Sequence, residues 1–447
     1  MFCSRHILDQ HVLFERAPVS PAEFARQYSA VRRAQQDFAA LSVRERTARL
    51  LDLAAALESH RDALALRICL EVGRGLHECE AELDKSVALI RYYADLAPEL
   101  LAHKTVATQA SLSQVRFEPL GVVLAVMPWN YPVWQILRFA IPALCAGNAC
   151  LVKPAPSVAG VTQMLFDLVG DALPFQAAWL AHEDIEAAIA QTQALAFTGS
   201  TATGRHLAVL AGRHLKKCVL ELGGSNAFIV LEDADIEQAA EDACHSRFRD
   251  AGQSCNAAKR LIVVDAVADA FIEAFVCHSR RLQSGAPWLP ETTLAPLHRA
   301  DVRARVHEQV ADALAHGAQC LLGGEIPAGP GWFYPATVLD HVNSQCRVYR
   351  EEVFGPVASI IRARDAAHAV ALANDSPFGL GASIYSRDID AAWALAAQLE
   401  TGSVFINRHT SSDVRLPFGG VKDSGFGREL SGFGLYEFVN IKTYWQL

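Results

Sequence analysis

Apolar residues recur along the chain with two different periods. Between residues 21 and 97, Leu, Ala and Ile return every third or fourth position between Arg and Glu, most regularly over residues 38–68. That spacing predicts amphipathic helices. Ser20 ahead of Pro21, with Glu23 close behind, supplies the start of the first one. Residues 115–117 read as a strand. From Gly121 the texture changes to short, wholly apolar runs at residues 122–126, 149–152, 194–197 and 218–222, separated by helical patterns. Strands apolar on both faces and alternating with helices predict a doubly wound, parallel α/β sheet. A second such stretch spans about residues 226–402, with strands at 228–231, 260–264, 357–361 and 382–385. Residues 436–445 alternate apolar and polar and read as a strand at the chain end, with no evident partner in its own chain. There is no internal repeat and no low-complexity linker.

The length, 447 residues, makes more than one domain the expectation. Forty Lys and Arg against 49 Asp and Glu leave a net charge of -9, which argues against a nucleic-acid partner. Eleven cysteines, an odd number with no CxxC pair and no zinc-ligand spacing, point to a reducing compartment and to no metal site. Ten of them sit in apolar or helical contexts and read as packing residues. The first ten residues hold Arg5, His6 and Asp9 and lack the apolar segment of a secretory signal. The most apolar stretches, residues 120–127 and 139–152, are too short to span a bilayer. The expectation is a cytoplasmic protein without a membrane partner.

Each apolar run of the first sheet ends in a polar cluster, where ligands of such sheets bind. Gly199-Ser-Thr-Ala-Thr-Gly204 follows a strand and opens a helix, like a GxGxxG turn with Thr at its middle glycine. Backbone N–H groups at a helix N-terminus suit a pyrophosphate. Glu221 closes a buried strand ahead of two glycines, where a charge is costly and also reads as a capping or ion-paired residue. Cys255, within Gly-Gln-Ser-Cys-Asn, lies in a turn beside two amides and so departs from the packing cysteines. Asn130 can donate its amide to an oxyanion or bond its own turn.

In order along the chain stand Pro128-Trp-Asn-Tyr-Pro132, Lys153-Pro-Ala-Pro156, Phe197-Thr-Gly-Ser200, Glu221-Leu-Gly-Gly224, Gly252-Gln-Ser-Cys255, Glu351-Glu-Val-Phe-Gly-Pro356 and Pro417-Phe-Gly-Gly420. Together they resemble the aldehyde dehydrogenase superfamily over nearly the whole chain. The resemblance implies Cys255 as nucleophile, Asn130 as oxyanion donor and Glu221 as the base that activates water. It implies a nicotinamide cofactor, NAD or NADP, held by Trp129, Lys153, Pro156, Gly199, Ser200, Gly204, Glu352 and Phe354, and Phe418 as a wall of the aldehyde tunnel. It also implies three parts: a cofactor-binding domain (residues 1–97 and 119–224, with part of 403–434), a catalytic domain (225–402) and oligomerisation strands (98–118 and 435–447). A homodimer or homotetramer follows, the tail strand pairing with another subunit.

Within the superfamily the chain is similar to the succinate-semialdehyde branch. Arg138, eight residues after Asn130, and Arg249, six before Cys255, occupy that branch's carboxylate-binding positions. Guanidinium groups bind a carboxylate with paired hydrogen bonds, although both could equally make structural ion pairs. A third position, often Ser in that branch, is Asp413, which would repel a carboxylate unless a cation such as Arg415 pairs with it. Glutarate semialdehyde and neutral aliphatic aldehydes therefore stay open, as does a non-catalytic dinucleotide-binding protein on this fold. Pro156 stands where NAD-preferring relatives carry a Glu, so nothing there repels a 2′-phosphate, and NADP is expected to be accepted. Residues 173–186 read as a shortened segment beside the adenine groove.

Overall fold

A computed structural model describes residues 1–447. The helical N-terminal region consists of Pro21–Ala40, Val43–Ser59, Arg61–Val72 and Leu76–Leu100. Ser20 opens the first helix as its pattern predicts: its hydroxyl accepts from the Glu23 N–H at 3.3 Å, and the Glu23 carboxylate accepts from the Ser20 N–H at 2.7 Å. Ser42 and Glu45 repeat the device on the second helix.

The apolar runs form two sheets. One has six strands, in the order Gly425–Phe426, Lys217–Glu221, Ala194–Thr198, Val122–Val126, Ala149–Lys153 and Phe175–Ala177. All are parallel except the short edge strand Gly425–Phe426. The chain winds outward from Val122–Val126 in one direction and then in the other, so the topological switch point lies between that strand and Ala194–Thr198. The second sheet has seven strands, Gln319–Leu322, Thr337–Asp340, Val357–Ala363, Ala258–Val264, Asn226–Val230, Ala382–Tyr385 and Val404–Ile406, antiparallel only at its first pair. The central strands are wholly buried, which is why they read as unbroken apolar runs.

Two expectations need correction, and one element had no expectation. The tail strand, Val439–Gln446, has a partner in its own chain: it pairs antiparallel with Leu112–Pro119 over eight residues, and Lys104–Thr105 adds a short third strand. Only Val439 is buried; Ile441 and Trp445, on the apolar phase of the alternation, are exposed. The first sixteen residues, unassigned from the pattern, form a hairpin, Phe2–Arg5 against Val12–Arg16, with Phe2 packed edge-on against Trp179. Not all ten remaining cysteines pack: Cys277 and Cys320 are exposed, on a helix surface and on an edge strand. All eleven are free thiols. No helix is long and apolar enough to cross a membrane.

Candidate active site

The two sheets meet end to end at one place. Asn130, Lys153, Gly199 and Glu221 leave the carboxyl ends of strands in the first sheet. Cys255, Glu352 and Phe354 lead into strands of the second. A cavity lies at this junction, and Cys255, Arg138, Arg249 and Phe418 all line it, with Lys85, Trp134 and Ser412.

The loop that carries Cys255 is held in an unfavourable backbone conformation. Asp250 (φ 53°) and Ala251 (φ 52°) are left-handed without being glycine, and Gly252 (φ 72°) continues the bend. A Cβ on Gly252 would lie 2.4 Å from the Gly355 carbonyl oxygen, so no other residue fits. Buried charges hold the strain: Arg74 Nε donates to Asp250 Oδ1 at 2.6 Å, the Tyr131 hydroxyl bonds the same carboxylate, and Glu78 accepts from the Asp250 N–H at 2.8 Å. Arg247 donates to the carbonyls of Gly252, Val353 and Gly355. Asn130 Nδ2 donates to the Gln253 carbonyl at 3.0 Å, which ties it to the loop and leaves its second amide hydrogen unused. Lys259 Nζ joins three parts of the site, donating to Gly224 O at 2.6 Å, Cys255 O at 2.8 Å and Glu352 Oε1 at 2.7 Å.

Glu221 is buried, and that burial pushes its carboxyl up to about 8 against the opposing charge of Arg138. Burial, with Glu221 adding to it, likewise pushes the Cys255 thiol up to about 11. Arg138 does not reach into the cavity as a free cation. Its Nε lies 2.5 Å from Glu429 Oε2 and its Nη2 3.9 Å from Glu221 Oε2, while its guanidinium covers the Phe418 ring at 4.9 Å. The ion contact expected of this arginine is present, and its side chain also lines the cavity. Arg249 lines the cavity with a single ion contact, to Asp250 at 3.4 Å. Asp413 pairs with Arg415 at 2.6 Å, the alternative its position left open; the pair lowers its carboxyl to about 2, and Asp413 is not among the residues that line the cavity. The neighbouring Ser411 and Ser412 line the wall instead.

The other expected residues gather beside the switch point. Ser200 caps the helix Thr201–Arg213 through the Thr203 N–H. A Cβ on Gly204 would come within 2.2 Å of Leu222, so this glycine permits close helix–strand packing. Lys153 is buried, and its only hydrogen bond is a long one, 3.4 Å to Pro154 O, with no carboxylate in ion-pair reach; burial lowers it to about 8. Pro156 opens a short 3-10 turn whose next residue, Ser157, bonds His298 at 2.7 Å. His298 stacks on Trp129 at 4.2 Å, and Phe354 meets Trp129 edge-on at 5.7 Å. An unpartnered buried ammonium beside a capped helix N-terminus fits an anionic dinucleotide. Sequence reasoning missed Lys85, Ser412, Lys259, Glu429 and the Arg74–Asp250 pair. The stripe Glu78, Glu82, Lys85, Leu89, at steps of four, three and four, was the available signal, since it mixes charge with a buried leucine.

The aldehyde dehydrogenase family model matches residues 4–444. The chain belongs to the aldehyde dehydrogenase family. It is 44% identical over 417 residues to the succinate semialdehyde dehydrogenase (NAD(P)+) of Escherichia coli K12, covering 92% of this chain and 90% of that one. It is 45% identical over 428 residues to an aldehyde dehydrogenase of Paenarthrobacter nicotinovorans, with 93% of each chain covered. Among solved structures it is similar to the succinic semialdehyde dehydrogenase of Streptococcus pyogenes in complex with NADP+, with TM-score 0.97 and 34% identity over 100% of this chain and 99% of that one. The end-to-end meeting of the two sheets is thus the aldehyde dehydrogenase fold.

Proposed function

We propose that this aldehyde dehydrogenase oxidises succinate semialdehyde to succinate with NADP or NAD. The observation that carries the reading is the cavity beside Cys255, which combines the nucleophile with cationic side chains suited to a second carboxylate. The similarity to succinate semialdehyde dehydrogenases supports it. Cys255 Sγ gives its thiol proton to solvent and, as thiolate, attacks the aldehyde carbon; the S–C bond forms and the carbonyl π pair moves to oxygen. The free amide hydrogen of Asn130 holds that oxyanion. A nicotinamide dinucleotide, when bound, would supply the hydride acceptor, and Cys255 would then carry a thioester. Glu221 removes a proton from the water that hydrolyses this thioester and frees the thiol. Lys153, Ser200, Gly199, Gly204, Trp129, Pro156, Glu352 and Phe354 are the residues we assign to the dinucleotide. The lack of any acid in ion-pair reach of Lys153 favours acceptance of a 2′-phosphate.

The same reading divides the chain into a cofactor-binding part (residues 1–97 and 119–224, with part of 403–434), a catalytic part (225–402) and strands for self-association (98–118 and 435–447). The outer edge of Val439–Gln446 presents unpaired backbone groups with exposed Ile441 and Trp445, which supports a homodimer or homotetramer. Eleven free thiols support a cytoplasmic setting.

The test is the appearance of reduced nicotinamide with succinate semialdehyde, glutarate semialdehyde and butanal, each with NAD and NADP. The expected result is a kcat/KM at least about tenfold higher for the acidic semialdehydes, equivalent to about 1.4 kcal/mol. The Cys255→Ala protein should turn over none of them. Equal or better activity on butanal would discard the substrate, and turnover by the alanine variant would discard the mechanism.

A further inference from the structure

Three cationic side chains line the cavity, and their charges are not equally available. Arg138 is enclosed by Glu429 and Glu221. Arg249 is exposed enough to turn and has one ion contact, to Asp250, a carboxylate already shared by Arg74 and Tyr131. Lys85 has no carboxylate in ion-pair reach: its Nζ donates to the Ser412 hydroxyl at 2.5 Å and lies 4.4 Å from the centre of the Trp134 ring. The charged groups that act on it are Arg138, Arg249 and Cys255, with Asp413 beyond the wall and tied to Arg415. The lysine is also fixed in place. One turn earlier on its helix, Glu82 accepts from the N–H groups of Val133 (2.9 Å) and Trp134 (2.8 Å), and its other oxygen pairs with Arg74. Those bonds lock the start of the helix Trp134–Cys145 against the helix that carries Lys85, and so set the ammonium over the indole face.

A largely buried ammonium without a counter-ion is costly, and a ligand carboxylate that reached it would restore the missing pair. The geometry points to Lys85 as a further anchor, beside Arg249 and Arg138, for the carboxylate tail of the aldehyde. This assignment rests on the acidic-semialdehyde reading above. Trp134 then serves twice, as the cation–π support of the ammonium and as apolar wall.

The experiment compares Lys85→Met, Lys85→Arg and the unaltered protein on succinate semialdehyde and butanal, and measures protection against thermal unfolding by succinate alone. Loss of a charge-assisted pair predicts that Lys85→Met lowers kcat/KM for the semialdehyde about 30-fold, chiefly through KM. Butanal oxidation stays within about threefold, which also reports a folded protein, and protection by succinate is lost. Lys85→Arg retains most of both. An unaltered protein without preference for the acid over butanal removes the substrate reading and this assignment together. A preference that survives Lys85→Met, or an equal loss on both aldehydes, removes the assignment alone.

Discussion

Arg138 and Lys85 line the same cavity, yet one is enclosed by two carboxylates and the other by none. Around Arg138 two carboxylates lie close, at 2.5 and 3.9 Å: the guanidinium opposes the burial that pushes Glu221 up to about 8, while Glu429 opposes ionisation of the same group. Around Lys85 only a hydroxyl and an indole face answer the charge. A buried charge that already has its partner tunes the protonation of its neighbours; one without a partner is set to receive a ligand. The resemblance assigned the carboxylate to Arg138 and Arg249 and did not reach Lys85, because it records which residue is present and not which neighbour packs beside it.

The largest expected effect breaks the closed side of the comparison. Glu221→Gln keeps the shape and removes the base, so turnover falls by about 10²- to 10⁴-fold. The sign of the pH dependence follows from the upward push by burial: below about 8 the Glu221 carboxyl is protonated, and the base form grows as pH rises through that value. The unaltered protein should therefore show kcat climbing toward pH 8, and the glutamine variant should lose that limb. An unchanged pH profile in the variant would mean that another group supplies the base.

Arg138→Met comes next. It leaves Glu221 and Glu429 buried without their cation, which costs on the order of 3–5 kcal/mol of stability, read as a drop in thermal midpoint. With its opposing positive charge removed, the Glu221 carboxyl moves further up, and the rising limb of kcat shifts to higher pH. Activity falls on both aldehydes, and further on succinate semialdehyde than on butanal. An equal loss on both would confine Arg138 to its contacts with Glu221 and Glu429 and leave the carboxylate tail to Lys85 and Arg249.

Much of this architecture was legible because buried parallel strands are apolar on both faces: residues 122–126, 194–197 and 382–385 stand out without any partner being known. Edge strands did not stand out. Phe175–Ala177 and Gln319–Leu322 are short or half-exposed and carry no such run. The tail strand was visible, but its partner lies more than 300 residues away, and a two-fold alternation does not say what it pairs with. In the site, the motif residues were legible because each marks a strand end or a turn. Lys85 was not, since among Glu78, Glu80, Glu82 and Asp84 it reads as part of a solvated helix face. Only the packing of that helix against Trp134–Cys145 turns Glu82 and Lys85 inward.

Asp413 offers the smallest effect and the sharpest check on the open side. Its place in the chain sets an acid where the carboxylate tail should bind, whereas its carboxylate is returned to Arg415, an exposed side chain 2.6 Å away. Exposed pairs of this kind contribute about 0–1 kcal/mol, and the residue does not line the cavity. Asp413→Asn should therefore leave the KM for succinate semialdehyde within about threefold at pH 7. The direction of the small change is set by Lys85, which burial lowers to about 8 and which the Asp413 charge helps to keep protonated. Without that charge the lysine gives up its proton at a slightly lower pH, so the KM of the variant should begin to rise earlier than that of the unaltered protein. A fall in KM of tenfold or more would mean that Asp413 faces the substrate tail and repels it, and the cavity wall would then have to include the acid as well as Ser412.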